Sequence, residues 1–179
     1  ITYIPNKGQW HEAVAYRAQL SHGRLFLEEN GFTYSFLAPE DVEQVHHHKA
    51  LEGAVQAHAL KVRFIGANSE PDLSARGASN TQYNFYLGSD SARWQQGLSA
   101  YQQVTYDNLY DGIDLQVTSV GQQIKYNFKV AAGQKPNSVQ LQYDGAEHMH
   151  LDKKGNLIIR TSVNQFREMA PVAYQIIDG

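Results

Sequence analysis

An all-β, mostly antiparallel fold is what this sequence predicts: a β-sandwich or a rolled sheet with short helical turns. Three observations point to it. Short runs that alternate apolar and polar residues recur along the chain. Turn-forming pairs such as Asn30-Gly31 and Asp111-Gly112 separate them, and helix signals are confined to 38–56 and 90–96. Alternation has the period of a half-buried strand, whose successive side chains point to opposite faces. About a dozen such runs at regular spacing suit a sandwich or rolled sheet better than a bundle.

Residues 1–12 are broken by Pro5, Asn6 and Gly8 and read as irregular, with Trp10 placed to pack this lead-in onto the domain. Residues 14–20 alternate and predict a strand. Residues 24–29 and 31–37 predict a hairpin turning at Asn30-Gly31, because both turn residues tolerate positive φ. The stretch 38–56 is more polar. Pro39, Glu40 and Asp41 mark a helix start there, and a surface excursion fits equally. Residues 57–66 predict a strand. Residues 67–81 are polar, carry Pro71 and Gly77, and read as a long loop. An apolar run follows at 83–87, then a helical turn at 90–96 that presents Trp94 to the core.

The centre of the chain is a meander over 101–130. Its strands are 101–106, 112–118 and 123–130, joined by Asp107-Asn108, Asp111-Gly112 and Gly121. Further strands are predicted at 139–143, 148–151, 157–161, 166–168 and 172–177. Pro171 stands at the start of the last, where a missing N–H is tolerated.

The 179 residues suit a single β domain over 1–179, long enough to bury a core without covalent staples. The absence of cysteine excludes disulfides and leaves the redox compartment unread. A net charge of -3 gives no electrostatic ground for nucleic acid. Charged residues make up 18%, below the usual share of about 25%, and polar neutral residues with eleven tyrosines fill the difference, as in extracellular β proteins. No apolar run approaches the roughly 20 residues of a membrane span, so no transmembrane segment is expected. The chain opens at Ile1 without a signal peptide and ends on Asp178-Gly179, a turn with no return strand. The expectation is an incomplete N-terminal fragment of a larger secreted protein.

Residues that could carry chemistry are few. His46, His47 and His48, with His58, Glu43 or Glu52, offer zinc-type ligands, but consecutive imidazoles point apart, so a solvated loop is the first reading. His148 and His150 share one face of a strand and form a better pair, though without an evident third ligand. Asp107, Asp111 and Asp114 surround a tight turn. Their oxygens suit a structural calcium, which takes six to eight oxygen ligands. The calcium-loop order is missing, and Asx turn chemistry explains the same residues. Asp114 stands between Ile113 and Leu115, where a buried carboxylate needs a cation or N–H partner. Trp94, Tyr101, Tyr106 and Tyr110 offer faces for sugar stacking, against the plainer reading that strands favour aromatic residues. There is no G-x-S-x-G, and no pair of carboxylates stands out for hydrolysis. No catalytic residue is assigned and no cofactor is expected beyond that calcium.

Several blocks in order resemble a family. Asn6-Lys7-Gly8-Gln9-Trp10 is similar to the "ENKGQW" opening of an N-terminal domain of unknown function in large secreted proteins of Bacteroidota. The similarity continues through Asn84-Phe85-Tyr86-Leu87-Gly88-Ser89-Asp90 with Trp94, Tyr101, and Asn108-Leu109-Tyr110-Asp111-Gly112-Ile113-Asp114-Leu115. Lys125-Tyr126-Asn127-Phe128, Gly155-Asn156-Leu157 and Pro171-Val172-Ala173-Tyr174-Gln175 complete it. Pro5 replaces the family's usual acidic residue, and the chain stops before an Ile-Asp-Pro block that similar domains add. The resemblance implies an exported, cell-surface protein associated with type IX secretion, adhesion or extracellular assembly, and no catalytic residues. The function expected is a non-catalytic structural module completed by strand pairing with other segments of its precursor or with neighbouring chains. A carbohydrate-binding module, with glycans as partners, is the alternative. A metal-dependent hydrolase using the histidines comes third.

Overall fold

Burial alternates along the strands, and that alternation curls the sheet around one core. The computed structural model describes residues 1–46 and 54–175. Strands occupy 57% of the chain and helices 6%, which makes the fold all-β. Among the described residues, ten strands form one antiparallel sheet, curled into a half-barrel, and three more form a small second sheet. The rolled-sheet alternative is therefore the one adopted.

The first strands are β1 (Tyr3–Pro5), β2 (Val14–Leu20), β3 (Gly23–Glu28) and β4 (Gly31–Leu37). After helix α1 (Pro39–His46) come β5 (Ala57–Phe64), β6 (Asp72–Phe85) and β7 (Gln95–Tyr110). Then follow β8 (Ile113–Val120), β9 (Gln123–Val130) and β10 (Leu141–Asp144). The small sheet holds β11 (His148–Leu151), β12 (Leu157–Arg160) and β13 (Gln165–Glu168).

The large sheet runs β10-β5-β4-β3-β2-β1-β7-β8-β9, with β6 attached to β7. Its branch point follows from the register. Tyr101 pairs with both Tyr3 and Ala78, and Thr105 pairs with both Ser74 and Gln116. A residue has two edges, so β1 and β8 share the side of β7 opposite β6.

Apart from the mostly polar β6, the strands of the half-barrel turn apolar residues to one face. Tyr3, Leu25, Leu27, Leu60, Tyr106, Leu109, Ile113 and Leu115 are fully buried together. The small sheet covers this face: Ile159 is buried in the same core, and Phe166 packs on Tyr34 and Phe36. The two end strands of the large sheet meet there. Tyr126 of β9 and Tyr143 of β10 both donate hydroxyl hydrogen bonds to Glu168 Oε2 of β13, at 2.7 and 2.6 Å. One carboxylate thus latches both ends of the curl to the small sheet.

Two turns depend on glycine because backbone passes close. A Cβ on Gly23 would lie 2.0 Å from the Ser35 carbonyl oxygen, and one on Gly31 would lie 2.1 Å from that of Val62. Neither neighbour is a side chain that can swing away.

Four sequence expectations change. Residues 72–81, expected within a loop over 67–81, belong to strand β6: β7 supplies its ladder partners, so a mostly polar strand persists without alternation. A strand, β1, runs through the supposedly irregular lead-in, carried by the buried pair Tyr3 and Ile4. The stretch 171–175 adopts no strand, and 176–177 lie outside the described residues. Trp94 follows the predicted helical turn, a 3-10 turn at Ser91–Arg93, but it is exposed.

Candidate functional site

The acidic turn is built by its own side chains. Between Tyr106 and Tyr110 the β7–β8 register shifts, and Asn108 takes a φ of 52°. Asp114 Oδ1 accepts the Asn108 N–H at 2.8 Å, and Asn108 Oδ1 accepts the Gly112 N–H at 3.0 Å. The partner that Asp114 requires is therefore a backbone donor, with Lys129 opposite it in register. Asp107 accepts from the Ser74 hydroxyl, and Asp111 receives the Gln134 amide at 3.5 Å. Among the described residues, no three His, Asp or Glu side chains converge as metal ligands.

The predicted aromatic residues separate. Tyr110 is 4% exposed, and its hydroxyl donates to the Gln140 carbonyl, so its ring faces the core and offers no sugar platform. Tyr106 is fully buried and donates to the Glu28 carbonyl. Tyr101 is half-buried at the branch point of the sheet. Trp94 is exposed at the tip of the β6–β7 hairpin, edge-on to Tyr86 at 5.6 Å, with its indole N–H on the Gly88 carbonyl. Leu87 adds a third exposed apolar side chain at this tip.

The Asn6–Trp10 block explains itself in hydrogen bonds. Asn6 Oδ1 accepts from the Gly8 and Trp10 amides, and its NH2 group donates to the His11 and Val14 carbonyls. Gln9 is buried, receiving the Lys7 amide and donating to the Pro5 carbonyl. This loop holds Trp10 edge-on to Phe85 of β6, with ring centroids 5.1 Å apart. Arg17 of β2 lies against both rings, its guanidinium carbon 4.6 Å from the Trp10 centroid and 5.4 Å from that of Phe85. Trp10 therefore packs the lead-in as predicted. The sequence does not show that Arg17 and Phe85 join it, because nothing in a single polar strand position signals aromatic partners so far along the chain.

The small sheet presents a different surface. The β11–β12 register puts Met149 opposite buried Ile159 and Leu151 opposite Leu157, on the side that packs against the half-barrel. The packed face runs out before β11. Met149 is 41% exposed and Leu151 68%. His148 and His150 occupy the other side, with ring centroids 5.3 Å apart, and both are exposed. Among the described residues β11 pairs only with β12, so its second edge is open. It carries no Lys, no Pro and no bulge, the usual protections of an edge strand. Met169, Val172 and Tyr174 follow β13 and are also exposed. His58 sits apart, hydrogen-bonded to Ser162 and the Gly145 carbonyl. His46 ends α1, and His47, His48 and Glu52 lie outside the described residues.

These features define an all-β domain whose sequence blocks build turns, caps and one aromatic junction. The chain belongs to the family described as a domain of unknown function, DUF7948, whose model matches residues 3–179. No curated protein and no solved structure matches it. No helix among the described residues is long and apolar enough to cross a membrane.

Proposed function

We propose that this domain is a non-catalytic interaction module of an exported surface protein, completed when an extended segment adds to the open edge of β11. The donor is a neighbouring chain or another stretch of the same polypeptide. The observation that carries this reading is β11 itself: four exposed residues with no Lys, Arg, Asp or Glu among them, and Met149 and Leu151 extending the packed face of the small sheet beyond its cover. Main-chain pairing supplies affinity at such an edge, and alternate side-chain contacts supply specificity. The placement at the cell surface is supported by the sequence blocks alone.

The test is sedimentation over a wide concentration range, with amide exchange at β11. Association that protects the β11 amides, and its loss in a Met149→Lys/Leu151→Lys variant with unchanged thermal unfolding, is the expected result. A wild-type chain that stays monomeric with freely exchanging β11 amides overturns the reading.

A second reading rests on the hairpin tip. Exposed Trp94 beside Tyr86 is suited to stacking on a glycan, and a Trp94→Ala chain should lose any glycan-array signal that the wild type gives.

A further inference from the structure

The open edge strand β11 carries a pair of imidazoles. His148 and His150 stand two residues apart on one face of the strand, both exposed, with ring centroids 5.3 Å apart. His58, by contrast, has both ring nitrogens tied, one to Ser162 and one to the Gly145 carbonyl. No such tie holds either ring of the β11 pair among the described residues. Arg160 lies opposite His148 on β12, and its guanidinium turns to Glu147 at 3.9 Å, which offsets its charge.

That spacing suits a shared ion. Zinc binds imidazole nitrogen at about 2.0–2.1 Å, so two rings on one tetrahedral ion have centroids about 5 Å apart. The strand sets the separation, because side chains at i and i+2 leave the sheet on the same side, about 7 Å apart at the backbone. One chain supplies only half of a ligand set. Structural zinc sites are four-coordinate, and no third His, Asp or Glu joins the pair among the described residues.

The other half can come to the same edge. Asp152, which continues β11, donates its N–H to the Asn156 carbonyl on the β12 side at 2.9 Å. Main-chain groups alternate between the two edges of a strand. His148 and His150 therefore turn theirs to β12, and Met149 and Leu151 present theirs to the open edge. Two β11 strands paired antiparallel about Met149 would exchange hydrogen bonds there and set His148 of each copy opposite His150 of the other. Those flanking positions are non-hydrogen-bonded pairs, whose Cβ atoms come closest, about 4.5–5.5 Å apart. Four imidazoles then share one face around a two-fold axis, and the two Met149 side chains meet on the other. We infer that His148 and His150 form half of a tetrahedral site for a divalent transition ion of the zinc class, completed by the same two residues of a second copy. The site rests on the pairing of β11 proposed above, and makes its partner a second copy and its ligand a metal ion.

The experiment is sedimentation of the whole chain with a chelator and then with increasing zinc chloride, together with bound-zinc stoichiometry and amide exchange at β11. Zinc should tighten self-association by about tenfold or more, since an ion that binds only the paired form favours it by mass action. The β11 amides should gain protection in step. A His148→Gln/His150→Gln chain should lose this response and keep the zinc-free association of the wild type, because both positions are exposed and the apolar side chains are untouched. Bound zinc is counted as the difference between the two chains, since every other histidine is common to both, and should come to one ion per two chains. Zinc that leaves association unchanged overturns the inference. So does one ion per chain on a monomer, or a variant that responds to zinc as the wild type does. Zinc-free association with protected β11 amides and no response to zinc removes the metal site alone. A chain that stays monomeric at every zinc concentration, with freely exchanging β11 amides, removes the pairing edge as well.

Discussion

Strand β7 passes through two environments, and its halves are stabilised differently. Over 104–110 it lies in the half-barrel, where Val104, Tyr106, Leu109 and Tyr110 are buried. Over 95–99 it forms one arm of the outer hairpin with β6, where no residue of either arm is fully buried. In the inner half the β6–β7 register runs without a break from Asp72↔Asp107 to Arg76↔Gln103. In the outer half it shifts between Ala78 and Gln82 and again between Tyr83 and Phe85. Burial of one face fixes register, since a one-residue slip would turn the apolar row outwards. Without that penalty the outer half relies on individual ties: Asn84 accepting the Gly97 amide, Asp90 capping the 3-10 turn, and Phe85 against Trp10.

The largest expected effect distinguishes the body by pH. Burial raises the hydroxyl pKa of Tyr3, Tyr34, Tyr106, Tyr126 and Tyr143, and Glu168 adds to the rise at Tyr34, Tyr126 and Tyr143. In the unfolded chain these hydroxyls ionise near about 10. The folded state holds their protons more tightly, so this stabilisation is complete below about pH 10 and is lost as pH rises further. The loss is about 1.4 kcal/mol per pH unit for each such tyrosine. Denaturant midpoints measured from neutral to strongly alkaline pH should stay level and then fall steeply. A midpoint that stays level throughout would mean that these hydroxyls reach water.

Next in size is Gly31→Ala. The added methyl would press on the Val62 carbonyl within the β4–β5 ladder, and a cost of about 2–3 kcal/mol is expected from overpacking. Gly121→Ala is the matched control. Nothing lies within 4 Å of its Cβ position, so only the left-handed φ of 58° is strained, at about 1 kcal/mol. Urea unfolding of both variants checks the ordering, and equal costs would show that contact with the neighbouring strand is not what Gly31 avoids.

The same contrast explains what the sequence made legible. Strands β2 to β5, β8 and β9 were readable because each alternates and each turn carries its signature, Asn30-Gly31 above all. Strand β6 was not, since only Leu73 and Ala75 of its fourteen residues pack on the core and the polar remainder has no apolar period to detect. Around the candidate site the backbone role of Asp114 was legible as an alternative to calcium, because Asx side chains act on nearby backbone, whereas Asp107 and Asp111 meet side-chain donors of Ser74 and Gln134 that lie far along the chain. The Trp10–Arg17–Phe85 junction and the Tyr126–Glu168–Tyr143 latch were not. Each joins residues far apart in sequence, and only the curl of the sheet brings them together. Tyr110 illustrates the same limit: its exposure depended on which side of the bulge at 107–109 faces the core.

The smallest expected effect tests the outer hairpin itself. Phe85→Ala removes the edge-on contact with Trp10 and one of the two rings that flank Arg17. Pairwise aromatic and cation–π terms of this kind amount to about 0.5–1.5 kcal/mol, so global stability should fall by about 1 kcal/mol. Phe32→Ala in the half-barrel should cost about 3–5 kcal/mol, because it opens a cavity among Phe64, Tyr106 and Tyr126. Local behaviour should reverse this order. Amides over 76–99 should exchange markedly faster in Phe85→Ala, through opening of the hairpin alone, while those of β4 and β8 keep their wild-type protection. A Phe85→Ala chain that loses as much global stability as Phe32→Ala, with no selective change at 76–99, would mean that the hairpin folds as part of the core. Its exposed tip would then be rigidly presented, and the distinction between the two halves of β7 would be one of solvent contact alone.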